Sequence, residues 1–545
     1  MTHYTHITGG RVVDPDSGRD GIGDIWIKDG RIVEPNPEAT SVDRIDATGM
    51  IIMAGAIDIH THVVGANIAA ARLLLPERYS DLETPPDTWS GAPFDLFTTG
   101  ALYAKMGYTL VVEPAVAPTD AVATHAELEL IPYVDRAALC VIGNDDVLLG
   151  MLRDRASDAA IADYVAWMLG QSRALGAKTI NPGGVAALKA NVRTFELDDV
   201  IPEYGVSSRA ISAAMRTALT TLGVPHPLHL HTHNLGLPGS IDTALATIES
   251  AEGQPMHLAH LQFYAYGTEG GFGMSSGAAQ LAEKLAANKN ITADVGQVMF
   301  GPTITVSSDT LTQFNARRYS DPKKWTIRDG DGNGGGAVPY HYKAKNKIAA
   351  LQWAIGMELF LLVDDPTQVY FTTDHPNGGP FTSYPDMLAQ LMHADQRNAV
   401  IEKLPAEAME VSTLPGIKRE YSLSEVATMT RSAPAKLLGL ADRGHLKPGA
   451  VADVAIYRQQ ADTAAMFRNV TWLFKNGSPI IRNGALQPAT FGKTLALNPE
   501  HDAGITAHVR DAYDQRWGVP PTTFEVPERL LRPSSPFETI PCRAP

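Results

Sequence analysis

Short apolar runs alternate with longer stretches of helical spacing from about residue 50 to about residue 440. The runs read GMIIMAGAIDIHTHV, GYTLVVEPAV, AALCVIGN, AKTINPGG, PLHLHTHN, PMHLAHLQF, ITADVGQV and QVYFTTDHP. Between them, Ser157–Leu175, Ser240–Ala251, Ser276–Asn288 and Tyr342–Leu362 carry helix-like patterns. Strand–helix alternation repeated about eight times predicts a parallel sheet, and at this chain length a closed (β/α)8 barrel of the α/β class. A doubly wound open sheet is the competing arrangement, but no Gly-rich dinucleotide fingerprint opens the first unit.

Outside that region the period changes to two. THITGGRVVDP, GDIWIKDGRIVE and DRIDATGMIIM read as short strands, and the Asp-Gly of KDGR predicts a tight hairpin. Past residue 421, SLSEVATMTRSAPAKLLGL predicts a Ser-capped helix. GHLKPGAVADVAIY and NVTWLFKNGSPIIRNGAL then return to strand chemistry like that of the first fifty residues. The expected organisation is an N-terminal part of a small composite β-domain (1–51), the barrel (52–440), the C-terminal part of the β-domain (441–490) and a Pro-rich wrapping extension (491–545). The Gly- and Asp-rich segment 319–341 is expected to be a long loop near the barrel mouth.

Composition narrows the class. Of 545 residues, 44% are hydrophobic and 19% charged, as in ordinary globular proteins. A net charge of −15 makes nucleic acid an unsuitable global partner, although a local basic pocket for an anionic substrate is compatible with it. Two cysteines, Cys140 and Cys542, support neither a disulfide framework nor a thiolate metal site, which fits a reducing cytoplasm. No N-terminal signal pattern and no apolar run of bilayer length are present, so no membrane partner is expected.

Candidate chemistry sits at the ends of the apolar runs. His60 and His62 are two residues apart at the end of the first, a spacing that directs both rings to one side of a strand. Two neutral imidazoles gain little from each other, whereas a divalent cation such as zinc takes both. The bland alternative is a pair satisfied by backbone hydrogen bonds. The fifth run carries His229, His231 and His233, the sixth His257 and His260, and the eighth ends in Asp374-His375. Eight of the 17 histidines therefore fall on four strands, and catalytic groups of such barrels occupy strand C-terminal ends. Lys178 lies in the fourth run, where a buried ammonium beside cations would be doubly unfavourable. Its neutral amine can add carbon dioxide to form a carbamate, an anionic bridging ligand.

His-x-His on strand one, Lys on four, His on five and six and Asp on eight resemble the amidohydrolase superfamily. AKTINPGG, HLHTHNLGLPGS, HLAHLQFYAYG and TTDHPNGGPF resemble one family within it: the A component of formylmethanofuran dehydrogenases and of bacterial formyltransferase/hydrolase complexes. The resemblance spans nearly the whole chain. It implies His60 and His62 on a first metal, Lys178 as an N6-carboxylysine bridge, His231 and His260 on a second metal, and Asp374 as ligand and proton shuttle. The implied cofactor is a pair of divalent ions, expected to be zinc. His229, His233, His257 and His375 are expected to support those ligands or simply to pack, and Asn181, Asn234 and Asn377 to meet a substrate amide or carrier headgroup.

The implied activity is metal-dependent hydrolysis of the N-formyl amide of a furan-type one-carbon carrier (methanofuran or methylofuran) within a multi-subunit complex. Three alternatives share the pattern: a formate-condensing component of a dehydrogenase, a stand-alone hydantoinase or N-acyl amino acid amidohydrolase, and an inactive scaffold. The last is signalled by lost ligands, and none is missing.

Overall fold

Eight parallel strands form the central sheet: β1 (Ala56–Asp58), β2 (Tyr108–Val116), β3 (Asp135–Val141), β4 (Gly176–Ile180), β5 (Leu228–His231), β6 (Met256–Leu258), β7 (Ile291–Asp294) and β8 (Val369–Tyr370). The computed structural model describes residues 3–76, 95–330, 334–532 and 537–543. Neighbours in the sheet are neighbours in the sequence, and the connections carry helices such as Asp158–Ser172, Ser208–Thr221, Ser240–Glu249, Ala278–Ala287 and Lys347–Leu362. The two edges meet at a parallel bridge between Thr61, just after β1, and His375, just after β8, which closes the barrel. Strands covered on both faces favour apolar side chains; every residue of β3 is buried, and its two charged ones, Asp135 and Arg136, are paired with Lys475 and Glu129.

Both chain ends build one further sheet. Tyr4–Asp14 pairs with Arg19–Lys28, and Met50–Ala54 pairs antiparallel with Val454–Arg458 in the register Met53 to Ala455. The KDGR hairpin forms with Lys28 opposite Arg31, its turn residues Asp29 and Gly30 at φ 48° and 78°. Ile7, Val12, Ile52, Val454, Ile456 and Phe474 share the core of this unit.

Two regions differ from the sequence reading. Segment 319–341 contributes two strands rather than only a loop: Thr326–Arg328 and Gly335–Tyr342 pair antiparallel, and Gly301–Ser307 joins on the other side; residues 331–333 lie outside the described residues. Its glycines looked like loop chemistry because they lack side chains, but here they admit close backbone approach. A Cβ on Gly335 would strike the Ser307 carbonyl, and one on Gly336 the Thr326 carbonyl. The C-terminal region is also less extended than expected. Thr494–Ala496 pairs with the N-terminal half of β3, ahead of the part that β4 pairs, and a helix spans Gly504–Trp517. The Ser422 cap is present as a capping box with Glu425, although the helix it starts passes into a π-helical turn at Thr428–Ser432.

Candidate active site

The singled-out residues lie at or past a strand's C-terminal end, except Lys178, His229 and His257, which sit within β4, β5 and β6. β1 stops at Asp58, so strand alternation alone does not align His60 with His62. The turn after it does so, since both rings reach the same carboxylate oxygen. His260, Asp374 and Asn181 leave their strands with φ of 36°, 51° and 41°, left-handed values that are uncommon outside glycine and recur at functional sites.

The closest group of polar atoms surrounds Asp374. Its Oδ1 lies 3.1 Å from His60 Nε2 and 3.4 Å from His62 Nε2. Lys178 Nζ is 3.1 Å from the same His60 Nε2. The other oxygen of Asp374 accepts a 2.9 Å hydrogen bond from Asn377 Nδ2. Each histidine is held from behind: His60 Nδ1 is 2.9 Å from Asp294 Oδ2, and His62 Nδ1 is 2.9 Å from Glu113 Oε1. Carboxylates behind the ring leave the Nε2 lone pairs facing forward, as metal-ligating histidines require.

Across from this group, His260 Nε2 lies 3.0 Å from His231 Nδ1. The far nitrogen of His231 is 3.2 Å from Asp309 Oδ2. Asp309 also caps the helix Thr310–Ala316, which belongs to the segment between β7 and the Lys347–Leu362 helix.

These donors fit a divalent cation. Ligands about 2.0–2.1 Å from a tetrahedral ion stand about 3.3 Å apart, close to the 3.1 and 3.4 Å spacings around Asp374 Oδ1. That oxygen and His260 Nδ1 are buried with no hydrogen-bond partner among the described residues. His60, His62 and Asp374 thus form a group able to hold a metal ion, and His60, His229 and Asp294 form a second convergent group behind it.

The electrostatics agree with a site built for charge. Burial pushes the Lys178 amine down to about 8, against the opposing pull of Asp374, Asp294 and Glu113. Burial would lower His62 as well, but Glu113 and Asp374 lift it to about 9. Burial would raise the Asp374 carboxyl, and the imidazoles of His60 and His260 overcome that, holding it well below the usual carboxylate range. His231 and His260 are lowered chiefly by burial.

A cavity of about 550 Å³ opens onto the group, with His62, Lys178, His231, His260, Asp374 and Asn377 on its floor. Phe263, Phe272, Tyr340 and Tyr342 supply aromatic walls. Other expected residues lie elsewhere. His257 points its Nε2 to Asp294 at 3.2 Å, so His260, not His257, faces the cavity. His229 lies behind His60, with Nε2 3.1 Å from His60 Nδ1. His233 bonds Ser208, and Asn234 donates to Glu196 and Thr243. His375 packs on Phe381 and gives its backbone carbonyl to the His62 N–H at 2.7 Å. Asn181 donates to Asp309 at 3.2 Å. Sequence reasoning passed over Glu113, Asp294 and Asp309. The first two carried a readable signal, an acid inside or ending an apolar strand run; Asp309 carried none beyond its helix cap.

A family model described as the Amidohydrolase family matches residues 43–469. The chain is 48% identical over 553 residues to the A component of the formyltransferase/hydrolase complex Fhc of Methylorubrum extorquens, covering 99% of this chain and 100% of that protein. It is 35% identical over 517 residues to protein FwdA of Methanocaldococcus jannaschii, covering 90% of each. The crystal structure of the formyltransferase/hydrolase complex (FhcABCD) from Methylorubrum extorquens in complex with methylofuran superposes with a TM-score of 0.95 at 48% identity, covering 99% of this chain and 100% of that one. Among the described residues, no helix is long and apolar enough to cross a membrane.

Proposed function

We propose, from the premise that this chain belongs to the amidohydrolase family, that it hydrolyses the N-formyl amide of a furan-type one-carbon carrier to formate and the free amine. It would do so as the A component of a formyltransferase/hydrolase-type complex in the cytoplasm. The observation that carries this reading is the convergence of His60, His62 and Asp374, with His62 and Asp374 on the floor of an aromatic-walled cavity that His231 and His260 also line. Near-full-length identity to a component of such a complex supports the choice of substrate over hydantoins or N-acyl amino acids.

His60, His62 and Asp374 would hold one divalent cation and His231 and His260 another, with Lys178, carboxylated on Nζ, between them; zinc is the expected ion. Cations there supply Lewis-acid polarisation of the formyl carbonyl and a lowered pKa for water. The rest falls to the chain's own groups. Asp374 accepts the proton of the attacking water as its oxygen bonds the formyl carbon. As the C–N bond breaks, the same carboxyl returns that proton to the leaving nitrogen, so the products are a neutral amine and formic acid, which releases its remaining acidic proton to water as formate. Asn377, bonded to Asp374 Oδ2, holds the carboxylate with Oδ1 turned toward His60 and His62. The aromatic walls exclude water and suit a flat carrier ring. The steps are reversible, so formate condensation driven by a partner is the second reading of the same site.

The test is formate release from an N-formyl furfurylamine-type carrier by the purified complex, beside hydantoin and N-acyl amino acid substrates. Turnover of the latter without the former would overturn the proposal.

A further inference from the structure

Asp294 terminates β7 inside the barrel and is fully buried. Layers of branched apolar side chains normally fill that space, yet this carboxylate gathers nitrogen from three other strands. Its Oδ2 stands 2.9 Å from His60 Nδ1, 3.2 Å from His257 Nε2 and 3.6 Å from His229 Nε2. Its Oδ1 accepts a 2.7 Å hydrogen bond from the His260 backbone N–H. One acid thus touches a residue from each half of the candidate centre: the ring of His60 and the left-handed backbone of His260.

We propose that Asp294 is the positioning residue of the centre, fixing the His60 ring with Nε2 forward and seating His260 where its ring faces His231. This rests on the reading that His60 and His260 hold cations. A neutral imidazole carries one N–H. With that proton on Nδ1 donated to Asp294, the lone pair of Nε2, which stands 3.1 Å from both Asp374 Oδ1 and Lys178 Nζ, is free for a cation. The opposite tautomer would aim a lone pair at a buried carboxylate and an N–H at the cation, two unfavourable contacts at once. A buried carboxylate also costs several kcal/mol unless its oxygens are satisfied, and an N–H on His60 Nδ1 adds the shortest contact to Oδ2 beside that of His257, whereas the opposite tautomer sets a lone pair against it. The neighbouring convergence of His60, His229 and Asp294 admits a different occupant, a cation. A neutral His60 ring serves a cation through one nitrogen only, so the two arrangements are mutually exclusive and separable.

The experiment uses the full chain in its complex. Metal is stripped and zinc is titrated back against a chromophoric chelator for the parent and for Asp294→Asn. Outer carboxylates of this kind are worth about 10–100-fold in metal affinity, and a loss of that size is expected for Asp294→Asn with the melting temperature of the metal-free form little changed. Parent-like zinc affinity in Asp294→Asn would overturn the inference while leaving the metal centre intact. A parent that takes up no zinc would instead overturn the reading beneath it. Neutron diffraction from zinc-loaded, deuterated parent crystals tests the point without any variant. A deuteron on His60 Nδ1 facing Asp294 is the expected result, and a bare nitrogen or an ion in that place would sink the proposal.

Discussion

Thr61 and His375 are joined by a parallel β-bridge although more than three hundred residues separate them. That seam sets His62 beside Asp374. The hydroxyl of Thr372 stitches it further, donating to the His60 carbonyl at 2.7 Å and accepting the Asp374 N–H at 2.9 Å. Thr372→Val keeps the shape but strands a carbonyl and an amide in the core. Each buried unsatisfied group costs about 1–3 kcal/mol, so denaturant unfolding should show a loss of that order or up to twice it. Zinc affinity should fall in parallel, because both ligands flanking the seam lose their backbone anchor. An unchanged unfolding midpoint would show that the seam is held elsewhere.

Asp374 is the most exposed commitment of the mechanism. Asp374→Asn preserves size and one ligating oxygen while removing the proton acceptor. General-base loss costs about 10²–10⁴ in rate, so formate release should fall by at least that factor while the fold and most of the metal are retained. His375→Asn should do less harm, because the contact of His375 with His62 runs through its backbone carbonyl. Formate production and metal content of both variants, measured together, decide the matter; near-parent turnover by fully metallated Asp374→Asn would rule out the proposed shuttle.

The strand-end residues were legible because a (β/α)8 barrel turns a linear list of strand termini into a ring. His60, His62, Lys178, His231, His260 and Asp374 needed only their strand positions to be read as neighbours. What the pattern concealed was depth. His229 and His257 look equivalent to His231 and His260 in the sequence, but they lie one layer further into the barrel, around Asp294. Asp294 and Glu113 hide in apolar runs whose burial argues against charge until their imidazole partners are in place. Asp309 reaches His231 from the segment after β7, and nothing local announces that contact. The glycine run near 335 misled for the opposite reason, since the residue that permits a loop also permits three strands to crowd together.

Lys178 separates a one-ion site from a two-ion site. Its side chain is buried, and its amine is pushed down to about 8. Lys178→Met fills similar space with no carbamate chemistry, so metal analysis should fall from about two ions to about one per chain, with carbonyl-polarising activity reduced accordingly. Reconstitution of the stripped parent should also require dissolved bicarbonate for the second ion. Full two-ion loading in carbon dioxide-free buffer would mean that Lys178 acts unmodified.

Acid sensitivity should come in part from a histidine far from the cavity. His125 is fully buried on the helix Ala121–Leu128, where its Nε2–H donates to the Ser172 carbonyl at 2.8 Å. Burial pushes its pKa down from 6.5 to about 4, with the Ser172 hydrogen bond opposing the shift. The unfolded chain therefore binds a proton between pH 6.5 and 4 that the folded chain refuses. Linkage makes unfolding more favourable wherever the unfolded state binds more protons. Stability contributed at this position is complete above pH 6.5 and drains away as pH falls to about 4. A shift of this size corresponds to something on the order of 3 kcal/mol. His125→Gln retains an N–H donor for Ser172 but has nothing to titrate, so its stability profile should be flatter than the parent's across that window and converge on it at neutral pH. Thermal unfolding of both proteins in steps from pH 7.5 to 4 reads the difference directly, and parallel profiles would place the acid sensitivity on other buried groups.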